Sequence, residues 1–165
     1  MAFFTESTQK VRVKKTMSIS LNRLNLVDYV VNGGINKTFG VDSLDDLERV
    51  FGQPCHIEQY KKLIVFLYYA EMGKLEIAFS QKDNRLVYNL IDLYEMPPEF
   101  VSLSRLNIET RFFKWGNKKD FVLEELKSIN VNVTEISAEK IRLSNGINLL
   151  FVDDLLVSIS GSQSS

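Results

Sequence analysis

The sequence predicts an α+β chain of two pseudo-repeated halves with mostly antiparallel sheet. Three observations predict it. The stretch Arg23 to Phe51 returns 82 residues later as Arg105 to Val133 without a gap. Arg23-Leu24-Asn25 meets Arg105-Leu106-Asn107, Gly34 meets Gly116, Lys37 meets Lys119, Phe39 meets Phe121 and Leu44 meets Leu126. Each copy is then followed by short alternating apolar runs separated by turn residues, the pattern of half-buried strands. The strand connections are also short enough for antiparallel pairing, whereas parallel strands need long crossovers. Each half is therefore expected to be a hairpin, a short helix and a three-strand meander. One short helix cannot cover both faces of such a sheet, so the halves should pack together or share a sheet.

The elements follow in order. Residues 1–10 are polar apart from Phe3 and Phe4 and read as a flexible arm. The first half then runs over 11–96, the second over 97–160, and 161–165 reads as a disordered polar tail. Val11, Val13, Met17, Ile19 and Leu21 alternate as a strand, with Arg12, Lys14 and Lys15 on its solvent side. Tyr29 to Val31 run into Asn32-Gly33-Gly34, and Asn-Gly suits the positive φ of a tight hairpin turn, so the chain is expected to return through Ile35 to Phe39. Phe112-Phe113 running into Trp115-Gly116 gives the matched turn in the second half.

The clearest helix begins after Ser43. Ser43 can cap it, and Asp45 and Asp46 fall where the helix dipole favours negative charge. Leu44, Leu47 and Phe51 share a face, and Gly52 with Pro54 stops the helix. In the second half Asp120 is the candidate cap, Val122, Leu126 and Ile129 make the stripe, and Asn130 is the stop. Strands are expected over 63–69, 75–79 and 86–91, then over 140–143, 147–152 and 155–160. Pro97-Pro98 marks the seam, because neither residue can donate to a ladder.

Composition narrows the function. The 165 residues are 45% hydrophobic with a formal net charge of −1, so no global field steers the chain to nucleic acid or an anionic membrane. The longest apolar run, Leu63 to Ala70, is far short of the roughly 20 residues of a membrane span. The N-terminus lacks the basic and apolar regions of a signal peptide, and the one cysteine, Cys55, forms no intramolecular disulfide. The expectation is a cytoplasmic protein with no membrane partner.

Catalytic signals are sparse. Cys55 and His56 are adjacent, whereas a nucleophilic dyad needs side chains facing each other from separate elements. Cys55, His56 and Glu58 crowd one loop with no second spaced pair to complete a metal site. No phosphate loop, nucleophile elbow or dinucleotide fingerprint is present, so no cofactor and no metal are expected. Asp45/Asp46 and Asp153/Asp154 read as cap and turn chemistry. An enzyme would need a carboxylate, Lys and Tyr site assembled by the fold. Arg111, Phe112, Phe113, Lys114, Trp115, Lys118 and Lys119 interleave cations with aromatics as a nucleic-acid module would. Strand alternation would, however, place one of their faces in the core, and the chain as a whole is slightly acidic.

A binding role rests on two sets of residues. Asp42, Asp45, Asp46 and Glu48 give the first helix an acidic side. Arg111, Lys114 and Trp115 bring an interface-type anchor to a turn. Two further pieces carry a resemblance: Phe51-Gly52-Gln53-Pro54, and Asn145-Gly146-Ile147-Asn148-Leu149-Leu150-Phe151 followed by Leu156-Val157-Ser158-Ile159-Ser160. Together with the repeat they resemble the tandem-repeat immunity and inhibitor proteins that bacteria encode beside polymorphic toxins. The resemblance implies a non-catalytic protein that binds a cognate toxin and masks its active site. It carries no functional residue across.

Overall fold

The computed structural model describes residues 22–162. The arm over 1–10 and the strand expected over Val11 to Leu21 lie outside those residues. The described chain begins with β1 (Asn22–Asn25), α1 (Leu26–Asn32), α2 (Ile35–Phe39) and α3 (Leu44–Phe51). The hairpin expected through Asn32-Gly33 does not form. Asn25 Oδ1 accepts from Val27 N at 2.9 Å and Asp28 N at 3.2 Å, which starts a helix. Leu26, Tyr29 and Val30 then fall on one buried face at helical spacing. Gly33, at φ 98°, ends that helix, and the Gly33 and Gly34 N–H groups both return to Tyr29 O. A left-handed glycine serves a helix end as readily as a hairpin turn, so the spacing of the apolar residues decides.

α3 forms where the sequence placed it. Ser43 is its N-cap residue, Leu47 and Phe51 are buried, and the Gly52 N–H bonds Glu48 O. The strands β2 (His56–Gln59), β3 (Leu63–Ala70), β4 (Gly73–Ser80) and β5 (Leu86–Leu93) follow. A 3₁₀ helix over Pro98–Leu103 crosses the seam to β6 (Leu106–Glu109), then α4 (Lys119–Ser128), β7 (Val133–Ile136), β8 (Lys140–Leu143), β9 (Asn148–Val152) and β10 (Leu155–Ser162). The N-cap of α4 is Lys118, and Asp120 lies in its first turn instead.

β1 and β6 pair in parallel, and the other strands form one sheet in the order β2-β3-β4-β5-β10-β9-β8-β7. All its neighbours are antiparallel. The order reads the same from either end, with β5 and β10 meeting in the middle, so the two halves share a continuous sheet. The meander has four strands per half, one more than expected. β2 contains His56 and Glu58, read from sequence as a loop, and β7 is its counterpart at the other edge. Both are short, polar edge strands whose alternation is too brief to register as a pattern. β10 also extends through Gly161 and Ser162, which pair with Asn89 and Tyr88, so those residues belong to the sheet and not to a tail.

The gap-free register of 82 residues is not kept by the elements. Leu44 starts α3, whereas Leu126 lies near the end of α4; Gly34 precedes a helix, whereas Gly116 lies in a loop. The equivalent helix starts are Ser43, bridged to Arg85 at the entry of β5, and Lys118, bridged to Leu155 at the entry of β10. That pairs Leu47 with Val122 and Phe51 with Leu126, all buried. The first half spends its extra residues on α1 and α2, and the second half has a loop there.

The helices and the β1–β6 pair cover one sheet face. Leu24, Tyr29, Phe51, Tyr68, Leu75, Ile77, Phe79, Ile91, Phe113, Leu126, Leu149 and Ile159 meet there in a single core. Tyr29 donates a hydrogen bond to Asn89 Oδ1 inside this layer. Asn145, in the β8–β9 turn, donates to Val30 O at 2.7 Å and so ties the second half to the end of α1. On the other sheet face Val65, Leu67 and Ala78 form a small second cluster with Leu63, Tyr69 and Tyr88. Among the described residues no helix is long and apolar enough to cross a membrane.

Candidate functional site

The structure separates the residues that the sequence grouped. Within the acidic set, Asp46 is committed to the helix start. Its carboxylate accepts from Asp42 N at 3.0 Å and Ser43 N at 3.2 Å, and from Arg49 at 3.2 Å. The Asp42 N–H first, then Arg49, hold its pKa below the ordinary value of 3.8. Glu48 accepts from Gln53. Asp42 and Asp45 are exposed and leave their charge to solvent. Beside them lies a groove of 260 Å³ lined by Leu44, Glu48, Gln53, Pro54 and Ile57.

A pH titration separates the two aspartates. Asp46 has a lowered folded pKa, so its contribution to stability is present above its unfolded value and is lost as pH falls through the folded one. Asp46→Asn should lower Tm at pH 7, and the gap to wild type should close as the solution is acidified below about pH 4. Asp45→Asn should lower Tm less at pH 7, because only the helix dipole favours that charge. Thermal melts across pH 2–7 read the difference, and parallel curves for Asp46→Asn and wild type would contradict the assignment.

The second set is built on a clamped turn. The segment is not a strand, as its alternation suggested. Phe113 N bonds Thr110 O at 2.8 Å, with Arg111 between them at φ 49°. Such a φ is uncommon for a residue with a Cβ and persists only where its surroundings enforce it. Phe113 is fully buried, with Phe112 packed on it at 4.6 Å between ring centroids and the Arg111 guanidinium 6.0 Å from the Phe112 ring. Asn117 Nδ2 donates to Phe112 O at 2.6 Å, and Gly116 N bonds Leu156 O at 2.9 Å. Between these anchors Trp115 stands 59% exposed, with Lys114 and Arg111 beside it. The core position open to Trp115 from sequence is taken by Phe113 instead. Exposed Phe121 and Val152 lie on segments that meet the same turn region. Lys119 is not a free cation, because its Nζ donates to Ser137 O at 2.8 Å.

The two sets lie at opposite ends of the sheet. Ser158 pairs with Asp92 antiparallel, so β5 starts beside Ser43 at one end and β10 starts beside Lys118 at the other. Some nine residues separate those starts along the strands, roughly 30 Å. One partner cannot be centred on both sets.

Two arrangements were not legible from sequence. On the outer sheet face Lys74 Nζ lies 3.6 Å from Asp92 and 3.8 Å from Glu76, and Tyr88 donates to Glu76 at 2.6 Å. This is a carboxylate, Lys and Tyr group assembled across two adjacent strands, and its charges are engaged with each other. Burial and the Glu76 bond push the Tyr88 phenol well above its ordinary range. Next to it His56 pairs with Glu58 at 3.7 Å on the edge strand. Cys55 faces elsewhere, with Sγ donating to Leu103 O at 3.0 Å, so the adjacent pair makes no dyad. The second arrangement is an apolar groove of 320 Å³ at the seam, lined by Tyr69, Tyr94, Met96, Pro97, Phe100 and Leu103, with Glu95 at its rim. Pro97-Pro98 signalled the seam but not the groove, which needs Tyr69 from a distant strand.

Compared by sequence, the chain matches no protein family and no curated protein. Among solved structures it is similar to an extracellular SCP-domain protein of Bacillus anthracis, with 12% identity and a TM-score of 0.45 over 75% of this chain and 44% of that one. It is similar to a DUF4309 family protein of Bacillus subtilis at 11% identity and a TM-score of 0.38, over 73% of this chain and 78% of that one. A cysteine-rich secretory protein of Staphylococcus aureus follows at 10% identity and a TM-score of 0.37, over 87% and 50%. The chain thus spans less than half the length of the first of these. Likenesses this distant set no expectation for its activity.

Proposed function

We propose that this protein is a non-catalytic binding protein, an immunity-type inhibitor that holds a cognate toxin and masks its active site in the cytoplasm. The observation that carries the reading is Trp115. A tryptophan 59% exposed at the tip of a turn anchored on both sides is a poor use of apolar area unless a partner covers it. A rigid mount of this kind loses little conformational entropy on binding, which favours affinity. Arg111 and Lys114 are exposed on the same turn and supply charged contacts at the rim. Asp42 and Asp45 form a separate acidic edge, suited to a second contact with a cationic surface and to faster encounter.

The test is capture from a lysate of the source organism on immobilised wild type and on Trp115→Ala, followed by purification of the retained protein. One protein held by wild type and lost from the variant is the expected result. Equal retention by both, or none by either, would count against the Trp115 surface. A toxin-like reading frame beside the gene would give independent support.

A further inference from the structure

The 3₁₀ helix over Pro98–Leu103 has no buried residue. Phe100 is 49% exposed, Val101 37% and Leu103 44%, so three apolar side chains on one short element lie open beside the groove at the seam. The groove walls are largely aromatic, from Tyr69, Tyr94 and Phe100, with Met96 and Pro97 between them. Among the described residues neither the Tyr69 nor the Tyr94 hydroxyl has a hydrogen-bond partner. Burial, with Tyr69 nearby, pushes the Tyr94 phenol up to about 12, so it remains a donor at neutral pH. Among the described residues no lysine or arginine lines the groove. Glu95 is at the rim, Glu99 is on the 3₁₀ helix, and Glu71, whose carbonyl takes the Met96 N–H, is exposed at the side. Arg105 is turned to the carbonyls of Ser102 and Ser104.

These features choose among occupants. The groove is more open than enclosed, so it covers less of a small molecule than ligand pockets do. Aromatic walls carrying free hydroxyl donors suit a chain whose own carbonyls are unpaired. Polyproline II is that conformation, and it arrives pre-ordered. Carboxylates at the rim, with no cation among the described residues paired to Glu95 or Glu99, call for a basic residue on the same segment. We propose that the seam groove binds a proline-rich segment of a partner protein, with its prolines against Tyr69, Tyr94 and Phe100 and a flanking Lys or Arg at Glu95 and Glu99. The site is distinct from Trp115 and stands whether or not the protein is a toxin inhibitor.

The probe is a fluorescein-labelled ten-residue peptide that alternates proline and leucine and ends in arginine, titrated by anisotropy into the full chain. Controls replace its prolines with alanine or its arginine with glutamate. Saturable binding is expected, about tenfold weaker with Phe100→Ala and with the glutamate peptide, and weaker still with the alanine peptide. Phe100 is exposed, so that variant should fold, and its far-ultraviolet spectrum checks this. Tyr94→Phe should weaken binding by a few-fold through loss of one donor, and Trp115→Ala should leave it unchanged. Absence of saturation at millimolar protein, equal binding of the alanine peptide, or no effect of Phe100→Ala would overturn the proposal. A dimer in sedimentation that Phe100→Ala dissolves would give the groove to a second copy and overturn it as well. Loss of partner capture in Trp115→Ala with peptide binding intact reads the Trp115 surface alone, so failure of one reading does not carry the other.

Discussion

Trp115→Ala should weaken binding of the captured partner by 2 kcal/mol or more, roughly thirtyfold, while leaving Tm within about 1 °C of wild type. The expectation rests on exposure. The ring is 59% exposed and Phe113 is the residue that fills the core, so truncating Trp115 removes mainly area open to a partner. Phe113→Ala is the counterpart. It should unfold or severely destabilise the protein, by about 3–5 kcal/mol, because a fully buried ring leaves a cavity under the turn. Arg111→Ala should fall between these, losing rim charge and also the side chain that lies over Phe112. Calorimetric titration and thermal melts on the three variants separate presentation from packing. A Trp115→Ala variant that binds like wild type would remove the surface from consideration.

The largest stability effect at a single polar atom is expected at Tyr29. Its side chain is fully buried, its hydroxyl donates to Asn89 Oδ1, and Asn89 is itself 1% exposed. Burial pushes the Tyr29 phenol far above its ordinary range, so it is a donor at neutral pH. Tyr29→Phe deletes the donor and leaves a buried amide oxygen unpaired, which costs about 1–3 kcal/mol. For a chain of this size that is roughly 2–4 °C in Tm per kcal/mol. Replacing both partners, Tyr29→Phe with Asn89→Leu, should destabilise less than the sum of the two single changes, because no polar atom is then stranded. Strict additivity would show that the bond is not what fixes α1 on β5.

Six of the eight strands of the large sheet were legible in the sequence, whereas its two edge strands and the joining of the halves into one sheet were not, and the reasons are local. Leu75, Ile77 and Phe79 alternate with Lys74, Glu76 and Ala78, and the structure sends the first set to the core and the second to the outer face. Ser43 with Asp46, and Gly52 after Phe51, marked the ends of α3. The misreadings share one cause. Asn32-Gly33 satisfies a helix end and a hairpin turn equally, and only the three-and-four spacing of Leu26, Tyr29 and Val30 distinguishes them. The same short-range matching made Leu44 answer Leu126, although the sheet pairs the helix starts at Ser43 and Lys118. For the site, the residue types were visible in the sequence but their positions in space were not. Trp115 was ambiguous between core and surface because Phe112 and Phe113 compete for the same space. Lys74, Glu76, Asp92 and Tyr88 meet only across strands, and Tyr69 reaches Phe100 only once the seam folds back; no spacing along the chain encodes either.

On the proposed reading this protein acts by occupying a partner one to one and performs no chemistry on it. The most direct measurement is the residual activity of the purified partner against increasing amounts of this protein, read at several incubation times. A linear fall that ends at one equivalent and does not change with time is expected, with Trp115→Ala shifting the curve to weak, dilution-reversible inhibition. Inactivation that deepens with time below one equivalent would show turnover and contradict it.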